Sequence, residues 1–290
     1  MDNLTHGLLG YAVYAAFDKE EETKKERLGY ASVAILGAEI PDIEGFTTFM
    51  DPAVYLTWHR GFTHSFLFAP VMALLAVGLV FLINRSIRFG KAFGLAWAGT
   101  IVHIASDWSN TWGTGLLEPV LPERYSLGIL PIVDVIILLI FVAGFLLKKR
   151  WGNVRVFRGV WAVLFLYVAL QATHAAWLES QLDHQYQAVT TSAQLIPTQY
   201  HLVAQTGDEF HFYDGSVFTG LRKVGEAKNQ DHPVVKEALK DEEARALARF
   251  LPDFGARVKE LDHHWRITIY DPRFRHHNPS LLSTEVMVPK

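Results

Sequence analysis

The sequence contains no cysteine among its 290 residues, which excludes cysteine-based catalysis and thiolate metal ligands. Its net charge is only −3 at neutral pH, so nothing indicates a nucleic-acid partner. It also lacks the HExxH motif of metalloproteases, the GxSxG elbow of hydrolases and the phosphate-binding P-loop. Apolar residues are abundant, at 50% of the chain, and the mean hydropathy is +0.14. The distribution of these residues therefore carries the first structural information.

Six apolar segments occupy the first 178 residues. Three approach the ~20 residues that a helix needs to cross a hydrocarbon core of ~30 Å, and they cover residues 66–83, 129–147 and 156–178. A fourth, residues 92–106, is richer in small residues, which suits a helix inside a bundle. Two earlier segments, 4–17 and 28–42, would span only about 22 Å and would cross tilted, lie re-entrant or pack against the others. The pattern predicts a mainly α fold, a polytopic membrane bundle of four long apolar helices and two short N-terminal ones over residues 1–178.

Residues 179–290 have a different character. They hold 13 of the 27 lysines and arginines. Stretches such as EFHFYDGSVFT and HWRITIYD have the aromatic and β-branched content of strands, and PVVKEALKDEEARALARFL has helical periodicity. We predict a small soluble α+β domain over residues 179–290.

Basic residues predict the orientation in the membrane. Of the 14 lysines and arginines in residues 1–178, 12 lie in three loops that fall on one side if the chain alternates sides. The positive-inside rule assigns those loops to the cytoplasm. We therefore expect a multi-pass protein of the bacterial cytoplasmic membrane, with the C-terminal domain outside.

With this orientation, all five histidines of the membrane part lie at external ends, together with three aspartates. Any one of them is explained by a preference for polar helix ends, but the set favours a shared site. The residues are His6, Asp42, His59, His64, His103, Asp107, Asp134 and His174.

Two motifs sharpen this interpretation. In HIASD, His103 and Asp107 are four residues apart, so both side chains face the same way on a helix, as a shared divalent cation requires. In HRGFTHS, His59 and His64 would point about 140° apart on one helix, so we expect one in a loop and the other at a helix start. One of them would contact metal, and the other would act as an acid or a phosphate contact.

Two further aspartates are candidates. Asp42 follows Pro41, which ends a helix, so it is either a ligand or a helix cap, with Glu39 and Glu44 as supporting groups. Asp134 lies in an otherwise uncharged span, where an unpartnered carboxylate would be costly, so it needs a metal or a charged partner.

Five segments in fixed order resemble the YdjM-type family of bacterial membrane-bound, metal-dependent hydrolases. They are THGLLG, GAEIPDIEG, WHRGFTHS, HIASDWSNTWGTGLLEPVLPERYSLG and PIVDV, and the resemblance covers about residues 1–147. That family is grouped with zinc-dependent phospholipase C and single-strand-specific nucleases, which are all-helical. The resemblance implies a helical fold around a metal cluster. The implied ligands are His6, Asp42, a histidine of HRGFTHS, His103 and Asp107.

Histidine and aspartate ligands without cysteine suit Zn²⁺, with Mn²⁺ as an alternative, and the set is large enough for two or more ions. Asp107 is the candidate bridging ligand. Arg60 and Arg124 are candidates for contacting a substrate phosphate, or are interfacial anchors. Asp42, His64 and Asp134 are the candidate catalytic residues. The predicted metal ligands are His6, Asp42, His59, His64, His103, Asp107 and Asp134.

The resulting hypothesis is a membrane-embedded hydrolase that cleaves a phosphoester in a phospholipid or lipid-linked phosphate, using metal-activated water. The alternative is a non-catalytic metal-binding membrane protein with a sensory or structural role. A transporter is disfavoured because the candidate ligands gather at one face of the membrane. Since the motifs end by Asp134, we expect truncation after residue 182 to leave metal binding intact.

Overall fold

A computed structural model describes residues 1–17, 21–251, 253–274 and 282–290. The N-terminal region is mainly helical, and its helices are α1 Asn3–Ala15, α2 Lys24–Glu39, α3 Pro52–Trp58, α4 Ala69–Ile83, α5 Phe89–Trp108, α6 Val135–Trp151 and α7 Asn153–Ser180. Two 3₁₀ helices, Ile40–Phe49 and Phe62–His64, lie on either side of α3. The predicted succession of a helical region and a small α+β region is confirmed.

The C-terminal region consists of two antiparallel sheets and two short helices. Its strands are β1 Ala188–Ala193, β2 Tyr200–Thr206, β3 Glu209–Ser216, β4 Gly220–Lys228, β5 Gly255–Glu260, β6 His264–Tyr270 and β7 Ser283–Pro289. Strands β1 to β4 form one sheet in sequential order, and β5 to β7 form the other. The helices α8 Pro233–Ala238 and α9 Glu242–Phe250 connect the sheets.

Four long membrane helices are not confirmed. Among the described helices, only α7 is long and apolar enough to cross a membrane, and a second candidate is the pair 53–64 and 69–83, which is bent by 91°. Two of the apolar runs, 66–83 and 129–147, are longer than the helices that they form. Pro70 sits in the first turn of α4, which has 15 residues, and Asp134 begins α6 six residues into its run. Helix length is therefore set by these start signals and not by the hydrophobic run.

Small residues bring α1, α2 and α5 close together. A Cβ atom on Gly37 of α2 would lie 2.4 Å from the backbone oxygen of Ala96 in α5, and one on Gly10 would lie 2.6 Å from the oxygen of Ala34. The Thr100 hydroxyl donates a 2.8 Å hydrogen bond to the Gly37 carbonyl, which fixes the register of α5 against α2. This close packing places the ends of the three helices, which carry the polar residues, next to one another.

The C-terminal region is docked on the loop that follows α5. Ala193 of β1 donates a 2.8 Å backbone hydrogen bond to Gly128, whose φ of 61° and proximity to Thr191 exclude a larger residue. The hydroxyls of Thr111 and Ser192 lie 3.0 Å apart. Helix α9 packs against α3. The two regions therefore share a boundary at the polar ends of the helices.

Candidate metal centre

Four side chains converge at the buried ends of α2 and α5. Asp42 comes from the 3₁₀ helix that follows α2 and has Pro41 in its first turn, His64 from the short 3₁₀ turn, and His103 and Asp107 from successive turns of α5. One ligand atom from each lies within 4.8 Å of every other. The i, i+4 spacing predicted for the α5 pair is thus observed, and the structure places His64 of HRGFTHS in the group.

The distances between these atoms resemble the edges of a tetrahedron. Nε2 of His64 lies 3.3 Å from Oδ1 of Asp42, 3.3 Å from Oδ2 of Asp107 and 3.0 Å from Nε2 of His103. Nε2 of His103 lies 3.6 Å from the Asp42 oxygen and 3.8 Å from the Asp107 oxygen. A tetrahedral ion with ligand bonds of 2.0–2.2 Å has ligand-to-ligand distances of about 3.3 to 3.6 Å. These five distances are therefore close to the spacing that one such ion needs.

Neighbouring acceptors fix both imidazoles. Nδ1 of His103 lies 2.6 Å from the backbone oxygen of Ala38, and Nδ1 of His64 lies 3.4 Å from Oε1 of Glu44. With a proton on Nδ1, each ring directs its Nε2 lone pair toward the other ring, an arrangement that is unfavourable without a cation or a proton between them. Carbonyl and carboxylate partners of this kind commonly orient histidine ligands.

Asp107 is buried beside one guanidinium and two further nitrogen groups. Arg60 Nε lies 3.1 Å from its Oδ2, His6 Nε2 lies 3.3 Å from its Oδ1, and the amino group of Met1 contacts Oδ1. Neither Asp107 Oδ2 nor Arg60 Nε has a well-aligned hydrogen bond among the described residues. A buried carboxylate oxygen of this kind fits the role of a metal ligand.

Glu44 connects the centre to the turn that carries His64. Its carboxylate accepts a 2.7 Å hydrogen bond from Thr63 and a 3.1 Å bond from the backbone N–H of Arg60, and it lies 3.5 Å from His59 Nδ1. Burial alone raises the pKa of Glu44, but these hydrogen bonds and the nearby His64 lower it below its usual range. Sequence reasoning gave Glu44 only a supporting role. Its position two residues after Asp42 was the available signal.

Asp42 is the exposed member of the group. Its side chain is 19% accessible, whereas His64, His103 and Asp107 are at most 1% accessible. A cavity of about 320 Å³ opens over Asp42 and is lined by His59, Arg60 and Trp112, among others. Burial raises the pKa of Asp42, but the His64 hydrogen bond and the charges of His103 and His64 outweigh burial and hold it below its usual range. Asp42 is thus ionised at neutral pH at the floor of an open cavity.

Two predicted ligands lie beside the group. The His6 ring stacks on His103 with centroids 3.8 Å apart, and its Nδ1 lies 3.3 Å from the Ser106 hydroxyl. His59 lines the cavity, stacks on Tyr55 and faces Glu44. The structure therefore brings His6 and His59 to the periphery of the centre and not into the group of four.

Arg60 and Arg124 have different surroundings. Arg60 adopts a left-handed φ of 55°, which lets its backbone contact Glu44 while its guanidinium reaches Asp107 and Asn110 Oδ1, the latter at 2.7 Å. Arg124 donates to the backbone oxygen of His59 and lines a separate cavity of about 620 Å³. Arg60 therefore reaches the wall of the metal cavity, and Arg124 supports the turn from behind.

The structure does not bring Asp134 to the centre. Its carboxylate caps α6 by accepting a 3.0 Å hydrogen bond from the Ile137 N–H, and it accepts a 2.8 Å bond from the Tyr167 hydroxyl. The partner that its burial requires is thus a tyrosine and a helix N-terminus.

The C-terminal region contributes to the surroundings of the centre. Phe250 of α9 lies 6.1 Å from the His59 ring and 5.8 Å from Trp112. Arg273, paired with Asp271 through 2.9 and 3.0 Å hydrogen bonds, also donates to the backbone oxygen of Thr111. Sequence reasoning missed these residues because they lie more than 100 positions from the motifs.

The motifs and the helical region agree with known relatives. The model of the YdjM inner membrane protein family matches residues 1–178. The uncharacterized protein YfhP of Bacillus subtilis (strain 168) is 22% identical over 287 residues, which cover 95% of this chain and 87% of that protein. No solved structure matches this chain. Since the family match covers more than half of the sequence, the chain belongs to the YdjM inner membrane protein family.

Proposed function

We propose that this protein binds one divalent metal ion through Asp42, His64, His103 and Asp107 and uses it to hydrolyse a phosphoester bond. The near-tetrahedral spacing of the four ligand atoms, with Asp42 at the floor of an open cavity, is the observation that supports the proposal. A divalent ion at this position would supply Lewis acidity and lower the pKa of a water molecule toward 7.

The side chains of the cavity have distinct proposed roles. Arg60 lies in its wall and contacts the phosphate, while Asp107 holds its guanidinium in place. His59 also lines the cavity, and its Nδ1 lies 3.5 Å from Oε1 of Glu44. Because its imidazole lines the cavity, His59 is the proposed proton donor to the leaving oxygen. Catalysis by Asp134 has no comparable support, because that carboxylate caps α6.

Zinc is the proposed ion, with manganese as the alternative. Two imidazoles and two carboxylates suit Zn²⁺ in four-coordinate geometry, and Mn²⁺ accepts the same donors with a preference for more oxygen ligands. Among the described residues, one group of four has ligand spacing. We therefore propose one ion in this group, and the expectation of two or more ions stays a prediction.

A phospholipid or lipid-linked phosphate is the proposed substrate class. Membership of an inner membrane family and the apolar helix α7 support this choice. The cavity of about 320 Å³ is large enough for a phosphate head group.

A non-catalytic metal-binding role is the second candidate. Four protein ligands complete a tetrahedron, and closed tetrahedral sites are typical of structural zinc, whereas catalytic zinc sites commonly use three protein ligands. The accessible side chain of Asp42 favours catalysis, because it is the ligand that substrate or water can most readily displace.

Metal analysis combined with turnover would separate the two functions. Purified protein is assayed for metal by mass spectrometry, and then for hydrolysis of bis(p-nitrophenyl) phosphate and of phosphatidylglycerol vesicles, before and after chelation and zinc replacement. Chelator-sensitive turnover that His59→Ala reduces without loss of metal supports the hydrolase. Stoichiometric metal without turnover of either substrate supports the binding role.

We further propose that the metal centre and the C-terminal region face the outside of the cytoplasmic membrane. Strands β1 to β7 follow α7, and they dock on the loop that adjoins the centre, so both lie at the Ser180 end of that helix. A cysteine replacing Phe218 should react with an impermeant maleimide in intact cells, and one replacing Trp151 should react only after permeabilisation. Both positions are exposed. The reverse pattern would place the centre in the cytoplasm.

A further inference from the structure

The 3₁₀ helix that carries Asp42 has three distinct faces. It runs for ten residues, Ile40–Phe49, whereas 3₁₀ segments longer than about four residues are uncommon. Side chains three positions apart are eclipsed in this helix, so every third residue shares one face. The sequence IPDIEGFTTF thus sets out three parallel rows of side chains.

Two of these rows belong to the metal centre. Asp42 and Gly45 line the cavity. Pro41 and Glu44 are buried, and the Thr47 hydroxyl donates a 2.6 Å hydrogen bond to the Glu44 carbonyl. These two rows explain how the segment is held, but they leave the third row without a role.

The third row is an exposed apolar ridge. The ridge consists of Ile43, Phe46 and Phe49, which are 46%, 72% and 87% accessible, whereas Ile40 at the start of the same row is buried. Met50, just beyond the end of the helix, is 74% accessible and adjoins Phe49 in sequence. Phenylalanine at this level of exposure is unusual, and contiguous exposed apolar side chains mark interaction surfaces. A 3₁₀ helix does not need two exposed phenylalanines on one face in order to fold.

We propose that this apolar ridge inserts into the interfacial region of the lipid bilayer and thereby holds the mouth of the metal cavity at the lipid surface. The ridge contains no charged side chain, because the one acidic residue between Ile43 and Met50 is the buried Glu44. A partner protein would be expected to meet a polar rim around such a patch.

Neighbouring surfaces support a lipid and not a protein as the occupant. Helix α4 packs against the same 3₁₀ helix, and it exposes further apolar side chains, including Leu74, Leu75 and Leu82. The 3₁₀ helix that carries the ridge therefore contacts an apolar helix, in a chain of an inner membrane family. An interfacial position for amphipathic elements of this kind follows from their apolar face and polar opposite side.

The geometry relates the ridge to the metal centre. At a rise of ~2 Å per residue, Phe49 lies about 14 Å along the helix axis from Asp42, and Ile43 follows Asp42 directly. Insertion of the ridge would bring the cavity within the depth of the head-group layer. The proposed surface does not depend on hydrolysis, although it would supply lipid substrate to the centre.

Site-specific fluorescence tests the ridge directly. Because the chain has no cysteine, Phe49→Cys and the matched control Phe218→Cys can each be labelled at one position with an NBD maleimide. Position 218 is also a phenylalanine and is 81% exposed, compared with 87% for Phe49, but it lies in the turn between β3 and β4. The labelled proteins are reconstituted in phosphatidylcholine and phosphatidylglycerol (3:1) vesicles, with or without a doxyl-labelled lipid.

We expect the label at position 49 to emit at shorter wavelength than the label at 218, and to lose at least half of its emission to a shallow doxyl group. The control should lose less than a tenth. Equal, weak quenching at both positions would overturn the proposal. So would a label at position 49 that is shielded but not quenched, if a bifunctional maleimide also joins two copies of the unlabelled Phe49→Cys protein, since a second copy would then cover the ridge.

A turnover comparison links the ridge to the proposed hydrolase. Phe46→Ser combined with Phe49→Ser should keep the metal content and the turnover of bis(p-nitrophenyl) phosphate, but should reduce turnover of vesicle phospholipid at least fivefold. An unchanged ratio of lipid to soluble-ester turnover would contradict a role in substrate access. If wild-type protein turns over neither substrate, the proposed hydrolase fails, and the fluorescence result still decides the ridge.

Discussion

Replacing Asp107 with asparagine removes a buried negative charge from the candidate metal centre. The substitution preserves side-chain size but removes the negative charge that lies 3.1 Å from Arg60 Nε and 3.3 Å from His64 Nε2. Removing one partner of a buried ion pair costs about 3–5 kcal/mol. We expect the lower end of this range for the metal-free protein, because Arg60 keeps its 2.7 Å hydrogen bond to Asn110.

Metal affinity should fall further than stability. Changing a group that only orients a ligand lowers affinity about 10–100-fold. Loss of a ligand charge should exceed that range, so we expect Asp107→Asn to weaken zinc binding by more than about 100-fold. Calorimetric titration of the metal-free protein with zinc gives the affinity, and thermal unfolding monitored by circular dichroism gives the stability.

Asp134→Asn is the matched control. It also replaces a buried aspartate at a helix end, and asparagine caps α6 equally well. The substitution therefore removes only the negative charge of the group that accepts the 2.8 Å hydrogen bond from Tyr167. We expect a loss of about 1 kcal/mol in stability and unchanged metal content. Folded Asp107→Asn protein with wild-type zinc affinity would refute the reasoning.

Three further predictions concern the surroundings of the centre. Glu44→Gln should lower zinc affinity about 10–100-fold at unchanged saturating stoichiometry, because the carboxylate orients His64; an affinity equal to wild type would remove Glu44 from the centre. Arg273→Ala should destabilise the chain by about 3–5 kcal/mol, because buried Asp271 loses its partner. It should also weaken zinc binding, because Arg273 contacts the loop at Thr111. A variant with wild-type zinc affinity would instead support the expectation that residues after 182 are dispensable for metal binding. The pKa of Asp42 is depressed, so its ionised form stabilises the metal-free protein at pH values above the ordinary pKa of about 4. This contribution is lost as the pH falls through the folded-state pKa. An Asp42→Asn variant should therefore show a smaller loss of melting temperature between pH 5 and pH 3 than wild type, and an identical loss would contradict the assignment.

Local patterns predicted the candidate ligand pair on α5 and the helix end at Pro41. The spacing of His103 and Asp107 determines their common face as soon as the segment is helical, and the tight approach of α2 and α5 follows from their glycines and alanines. The two histidines of HRGFTHS were indistinguishable in sequence. Only the left-handed φ of Arg60 and the following 3₁₀ turn direct His64, and not His59, into the group.

Other features depend on contacts between distant parts of the chain. A lone carboxylate in an apolar run needs a partner, which makes Asp134 a candidate ligand in the sequence. An aspartate before such a run is also an N-cap signal, and this is the role that the structure shows. The Tyr167 hydroxyl supplies the second hydrogen bond to its carboxylate. The docking of α9 on α3 and the Arg273 contact to Thr111 involve separations that periodicity does not reveal. Sequence patterns therefore predicted the centre better than its outer wall.

X-ray absorption spectroscopy on zinc-loaded protein tests the central claim most directly. Asp42, His64, His103 and Asp107 each offer one ligand atom. They predict a first shell of two imidazole nitrogens and two carboxylate oxygens at about 2.0–2.2 Å from the zinc ion. His103→Ala should reduce the imidazole scattering from two rings to one while the protein stays folded. A zinc shell without imidazole scattering, or one that His103→Ala leaves unchanged, would contradict the proposed metal centre.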